Sequence, residues 1–248
     1  MEQRTAEWLD KNKVNTDYHE RQFLEPYRST VAFCDWLEAE RLMSPESELR
    51  IVDLCSGTGA NIYHMSKRYP KSTFLGVDIN PDNVERGNAF FQSRGIDQCR
   101  LEFGDIYNLD PRYASAFDGV VSLQTLSWLP DYKAPLQAMT NLAPQWVAVT
   151  SLFYDGPVSC TIDVTEYEAS LEPNRSSFYN VYSLPLVRKH MEANGYGDFR
   201  FTPFGIDVDL PKPGHGLMST YTEKLEDGRR IQLSGPLLMP WYFIAAIR

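Results

Sequence analysis

The segment RIVDLCSGTGANI, Arg50 to Ile62, limits the possible folds more than any other part of this chain. An apolar run of strand length carries Asp53 and breaks into a turn holding Gly57 and Gly59. Beyond the turn, Ile62, Met65 and Tyr69 fall on one face at helical spacing. A buried strand that stops in a glycine-rich turn and restarts as a helix is a device for holding nucleotides, because the turn lets backbone come close to a ligand.

The same rhythm continues downstream. TFLGVD reads as a second strand, followed by NPDNVERGNAFFQSRG, where Asn80 is placed to cap a helix, Pro81 fits its first position and Gly95 fits its end. RLEFGD and DGVVSL read as strands three and four, and WVAVTSLF as strand five. Before strand five, Asp131 caps a helix with Leu136, Met139 and Ala143 on its apolar face. Strands alternating with helices predict a parallel sheet with helices on both faces. Upstream, Phe33, Trp36 and Leu37 mark one face of a helix. After Phe153 an irregular polar and aromatic stretch runs to about Asn180. A helix over 183–194 ending at Gly195 follows, then the strand FRFTPFGIDV, a hairpin signal at Asp227-Gly228, and a last strand WYFIAAIR. The expected architecture is one α/β domain, a doubly wound, mostly parallel seven-stranded sheet of Rossmann-like type. Its N-terminal helices span 1–48 and form a lid, its core spans 49–153, and insertions over 154–182 and 207–238 follow strands five and six.

Composition narrows the function. Apolar residues make up 43% of the 248, enough for a folded core rather than a disordered chain. A net charge of −9 argues against nucleic acid as partner, since such surfaces are basic. The four cysteines form no C-x-x-C pair and suit reduced thiols in a cytoplasmic protein. The N-terminus lacks the apolar core of a signal peptide, and the longest apolar run, LLMPWYFIAAI, falls short of the roughly 20 residues of a membrane helix. No membrane partner is expected, and oligomerisation stays open.

Three nucleotide devices compete for the turn. A phosphate-binding loop needs Lys and Ser or Thr after its last glycine, where this chain has Ala60-Asn61. A dinucleotide fingerprint needs a third glycine for close helix–strand packing, and Ile62 stands there. The acid at Asp53 also has no use beside a pyrophosphate. What remains is a turn against the amino-acid portion of a ligand that carries no phosphate.

On Asp53 with CSGTG, Asp78 in FLGVDINP and Asp105 in LEFGDIYNL, the chain resembles the class I S-adenosylmethionine-dependent methyltransferases over residues 45–153. That resemblance implies S-adenosylmethionine as cofactor, S-adenosylhomocysteine as product, and contacts from Tyr18, Asp53, Cys55, Gly57, Gly59, Asp78, Ile79, Asp105, Ile106 and Gln124. Asp78 would accept from the ribose hydroxyls, Asp105 from the adenine amino group, the Ile106 N–H would reach a ring nitrogen, and Asp53 would balance the ammonium. Cys55 departs from the family, which usually has glycine there.

The run LQTLSWLPD after strand four would face the transferred methyl, with Gln124 as its polar contact and Leu126 and Trp128 as walls. It lacks the Asn/Asp-Pro-Pro-aromatic run of the family's nucleobase amino-methylating members. It also offers no acidic ligands, so no metal is expected, and Asp207, Asp209 and His215 read as an exposed Pro-rich loop. If the acceptor is a hydroxyl, His19 or His215 is the candidate general base. The Tyr-, Asp- and Asn-rich insertion suits a small neutral or cationic molecule, sugars included. The expected activity is O-methylation of a sugar-like or secondary-metabolite substrate. The alternatives are N- or C-methylation of a small metabolite, or a non-catalytic, cofactor-binding partner subunit.

Overall fold

The computed structural model describes residues 22–214 and 218–248. Helix α1 (Arg28–Ala39) precedes β1 (Arg50–Leu54), α2 (Ala60–Arg68), β2 (Thr73–Asp78), α3 (Pro81–Ser93), β3 (Cys99–Phe103) and β4 (Gly119–Leu123). Then come α4 (Lys133–Asn141), β5 (Trp146–Tyr154), the strands β6 (Asp163–Tyr167) and β7 (Pro173–Phe178), and the short β8 (Tyr182–Ser183). Helix α5 (Leu184–Ala193), β9 (Asp198–Pro203), β10 (Thr220–Lys224), β11 (Arg230–Ser234), β12 (Leu237–Leu238) and β13 (Trp241–Ile247) complete the chain.

The main sheet runs β3-β2-β1-β4-β5-β13-β9, with β8 paired to the end of β5. The first five strands are parallel, and β13 is antiparallel to both its neighbours. Strand order reverses direction between β1 and β4, which opens a crevice at their carboxyl ends where ligands of such sheets sit.

Local chemistry sets the element ends. Asn80 accepts from Asp82 N–H at 2.9 Å, Pro81 opens α3, and Gly95 at φ +64 closes it. Asp131 accepts from the N–H groups of Lys133 and Ala134, starting α4. Phe33, Leu37, Ile51, Ile62, Met65 and Phe74 form a core on one face, and Val52, Leu54, Leu136, Met139 and Val187 form the core on the other. Each such fully buried side chain contributes about 1.5–3 kcal/mol.

The hairpin expected at Asp227-Gly228 joins β10 to β11, with Gly228 at φ +85. The stretch after β5, read from sequence as irregular, instead forms a two-stranded antiparallel ribbon, β6 with β7. Its inward positions include Glu166, Arg175 and Ser177, so the two-residue alternation carries no hydrophobic signal.

Candidate functional site

Alternation along β1 puts Ile51 and Asp53 on one face and Val52 and Leu54 on the other. Ile51 packs with Phe33 and Leu37 of α1 and Ile62 of α2, so the Asp53 side chain lies on the α1/α2 face. On that face Thr30 Oγ1 donates to Asn61 Oδ1 at 2.7 Å, joining the first turns of the two helices. Asp53 is 1% exposed, and neither carboxylate oxygen has a hydrogen-bond partner. Burial first, and the nearby Asp78 charge second, hold its pKa well above the ordinary carboxylate range.

The turn is fastened to β2. Cys55 and Ser56 donate their N–H groups to Val77 O, and Gly57 donates to Asp78 Oδ2 at 2.7 Å. Asp78 Oδ1 accepts from Asn80 N–H at 3.0 Å and from Asn83 Nδ2 at 3.4 Å. Asp78 thus organises the lip of the crevice itself, and a ribose would share a carboxylate already engaged on both oxygens. Burial raises the Cys55 thiol pKa strongly, with further contributions from Asp78, Asp53 and Asp105 in that order, so the three acids converge on this residue. Cys55 sits at φ +64, a left-handed conformation that explains why glycine suits the position.

Gly59 caps α2 at φ +81, but its lack of a Cβ serves packing. A Cβ there would come 2.9 Å from Phe91 Cζ and 3.1 Å from Leu101 Cδ2. This corrects the expectation that Gly59 leaves room for the ligand, since helix and strand occupy that space.

Asp105 is half-buried and accepts from Tyr107 N–H at 3.0 Å; Ile106 is buried and Ile79 half-buried. Gln124 ends β4 at φ +61, and its Nε2 donates to Ser29 Oγ of α1 at 2.7 Å. Its amide therefore ties the N-terminal helix to the crevice. Leu126 is core, which corrects its expected role as a wall, and Trp128 packs beneath the β6–β7 ribbon. Tyr18, His19 and His215 lie outside the described residues.

Asp207 faces Arg28 at 4.0 Å and Asp209 pairs with Arg230 at 2.8 Å, and no metal-binding cluster occurs among the described residues. Sequence reasoning missed Ser29, Thr30 and Asn61, small polar residues without a motif. It also missed Asn180, fully buried, which binds the ribbon's base to the loop after β4.

Residues 45–157 match a protein family described as a methyltransferase domain. Over that stretch, a little under half of its length, the chain is similar to methyltransferases. Two curated relatives are an uncharacterized protein of Rickettsia prowazekii, 33% identical over 85 residues, and a tRNA (guanine-N(7)-)-methyltransferase of Synechococcus sp., 30% identical over 142 residues. Those alignments cover 34% and 54% of this chain and 34% and 59% of the relatives, so the chain spans at most about three fifths of either.

Solved structures share the domain's fold at low identity. Magnesium protoporphyrin IX methyltransferase from Synechocystis, solved with S-adenosylmethionine bound, aligns over 100% of this chain and 98% of its own, with TM-score 0.57 and 13% identity. The YcgJ protein of Bacillus aligns over 90% and 99%, with TM-score 0.55 and 14% identity.

Proposed function

We propose that this chain is an S-adenosylmethionine-dependent methyltransferase acting on a hydroxyl oxygen of a sugar-like or secondary-metabolite acceptor. The observation that carries the cofactor assignment is Asp53. A fully buried carboxylate without a partner is costly, and an ammonium-bearing ligand in the adjoining crevice offsets that cost. Asp78 at the end of β2 and Asp105 after β3 supply acceptors for ribose and adenine along the same lip.

When bound, the cofactor supplies an electrophilic methyl group on a sulfonium. The chain's part is orientation: Asp53 holds the amino-acid end, Asp78 the ribose, and the loop from Gln124 to Trp128 borders the acceptor side. Alignment alone contributes much of the rate of an in-line displacement. The candidate bases His19 and His215 remain a reading from sequence.

One relative's name points to a tRNA substrate, but a net charge of −9 opposes a polyanion. Calorimetric titration with S-adenosylhomocysteine tests the cofactor. Formation of that product with a panel of hydroxylated metabolites, compared with tRNA, tests the acceptor. Absence of binding would overturn the first reading, and turnover on tRNA alone the second.

A further inference from the structure

The inner face of the β6–β7 ribbon holds an unusual set of groups. Cross-strand pairing sets Val164 opposite Ser177 and Glu166 opposite Arg175, while Asp163, Thr165, Tyr167, Asn174 and Ser176 face water. This inner face leans on Trp128, four residues past Gln124. The Arg175 guanidinium carbon lies 5.6 Å from the Trp128 ring centre, and Tyr179 lies 4.4 Å from it on the ribbon's return.

Three polar atoms on that face, Glu166 Oε1, Arg175 Nε and Ser177 Oγ, are buried without hydrogen-bond partners. Glu166 Oε1 and Arg175 Nε form an ion pair at 3.9 Å, too long for a hydrogen bond. Folded proteins rarely leave such atoms without a hydrogen bond, and here three share one face of one ribbon. They offer an acceptor, a donor and a hydroxyl that serves as either, beside an indole.

We propose that this face reads the methyl acceptor and takes a neutral, saturated, polyhydroxylated ring of carbohydrate type; this rests on the methyltransferase reading above. Alternating hydroxyls pair with Glu166, Arg175 and Ser177, and the ring's C–H face lies on Trp128. A flat aromatic body would leave the three atoms unpaired, and a polyanion would meet Glu166. Because all three atoms are shut off from solvent, the ribbon lifts from Trp128 to admit the ligand and closes over it. Its base stays held by the paired backbone of Cys160 and Val181.

The test uses the full chain saturated with S-adenosylhomocysteine and saturation-transfer NMR. Its probes are the methyl α-glycosides of glucose, galactose, mannose and rhamnose, with 4-hydroxybenzoate as the aromatic comparison. At least one glycoside should bind, tenfold or more weakly in Glu166→Gln and Ser177→Ala, with S-adenosylhomocysteine affinity within twofold of the parent. Ligand-free Ser177→Ala should melt no lower than the parent, because an unpaired buried hydroxyl contributes no stability, whereas a structural serine would. The proposal is overturned if no glycoside binds, if both variants bind like the parent, or if 4-hydroxybenzoate binds more tightly than every glycoside. Loss of the proposal with S-adenosylhomocysteine still bound leaves the methyltransferase reading standing; failure of that binding removes both.

Discussion

Gly57 donates its backbone N–H to Asp78 Oδ2 at 2.7 Å, so the turn after β1 is held by the acid that ends β2. One residue therefore shapes the crevice and lines it. Asp78→Ala should lose both functions together. The N–H groups of Gly57 and Asn80 lose their acceptor, which lowers stability by about 1–3 kcal/mol. Affinity for S-adenosylhomocysteine should fall by about 2–4 kcal/mol, from the lost charge-assisted bonds. Denaturant melts and calorimetry on the same preparation measure the two, and a folded variant with parental affinity would refute the ribose assignment.

Asp53→Asn should separate stability from binding. Burial raises the Asp53 pKa in the folded state, so the folded chain holds its proton more tightly than the unfolded one. This contribution to stability is full below the ordinary carboxylate pKa and is lost as pH rises through the raised one. At pH 8 the neutral variant should be more stable by about 1–3 kcal/mol, with a flatter dependence on pH. Its affinity for S-adenosylhomocysteine should drop at least tenfold. In the parent, an ammonium at Asp53 lowers the raised pKa, so between the ligand-free and ligand-bound values binding releases protons and its calorimetric heat there varies with buffer ionisation enthalpy. Equal heats in all buffers, with unchanged affinity in the variant, would show that Asp53 meets no cation.

Gly59→Val should act on the fold. The new Cβ meets Phe91 and Leu101, and φ +81 disfavours a branched residue. Together these destabilise by about 2–5 kcal/mol, combining overpacking with left-handed strain. A variant with parental melting temperature and abolished cofactor binding would restore the view that the ligand itself occupies this space.

The half proposed to hold the cofactor is legible in its fold because its signals are local. Asn80, Pro81 and Gly95 are cap chemistry, and Asp53, Asp78 and Asp105 lie at successive strand ends. The half proposed for the acceptor is not, because its order comes from pairs distant in sequence. Gln124 meets Ser29 across 95 positions, and Asn180 meets Leu129 across 51. Polar side chains face inward on the ribbon, so hydrophobic alternation misses β6 and β7 altogether. Gly59 shows the complementary error: the residue was found through its spacing, yet the reason for it lies in Phe91 and Leu101, which spacing does not reveal.

Asn180 offers a last prediction, about how the ribbon is hung. It is fully buried; its Oδ1 accepts from Ile162 N–H at 3.0 Å, and its Nδ2 donates to Leu129 O at 2.9 Å and Tyr182 Oη at 3.1 Å. Its own N–H donates to Ser127 O, and Ser127 is bound in turn to Ser151 of β5. The ribbon, the loop after β4 and the sheet therefore meet at one side chain. In Asn180→Ala, Leu129 O keeps the Tyr182 hydroxyl, whose pKa burial pushes up to about 12, so it remains a donor at neutral pH. Ile162 N–H keeps nothing, and one unpaired buried N–H costs about 1–3 kcal/mol. That loss should appear locally, as about 10- to 100-fold faster amide exchange over residues 159–182. Amides of β1, β2 and β4 should change little, because their core on both faces is untouched. If exchange rises evenly through the sheet, Asn180 supports the whole domain and the ribbon is not an independently hung element.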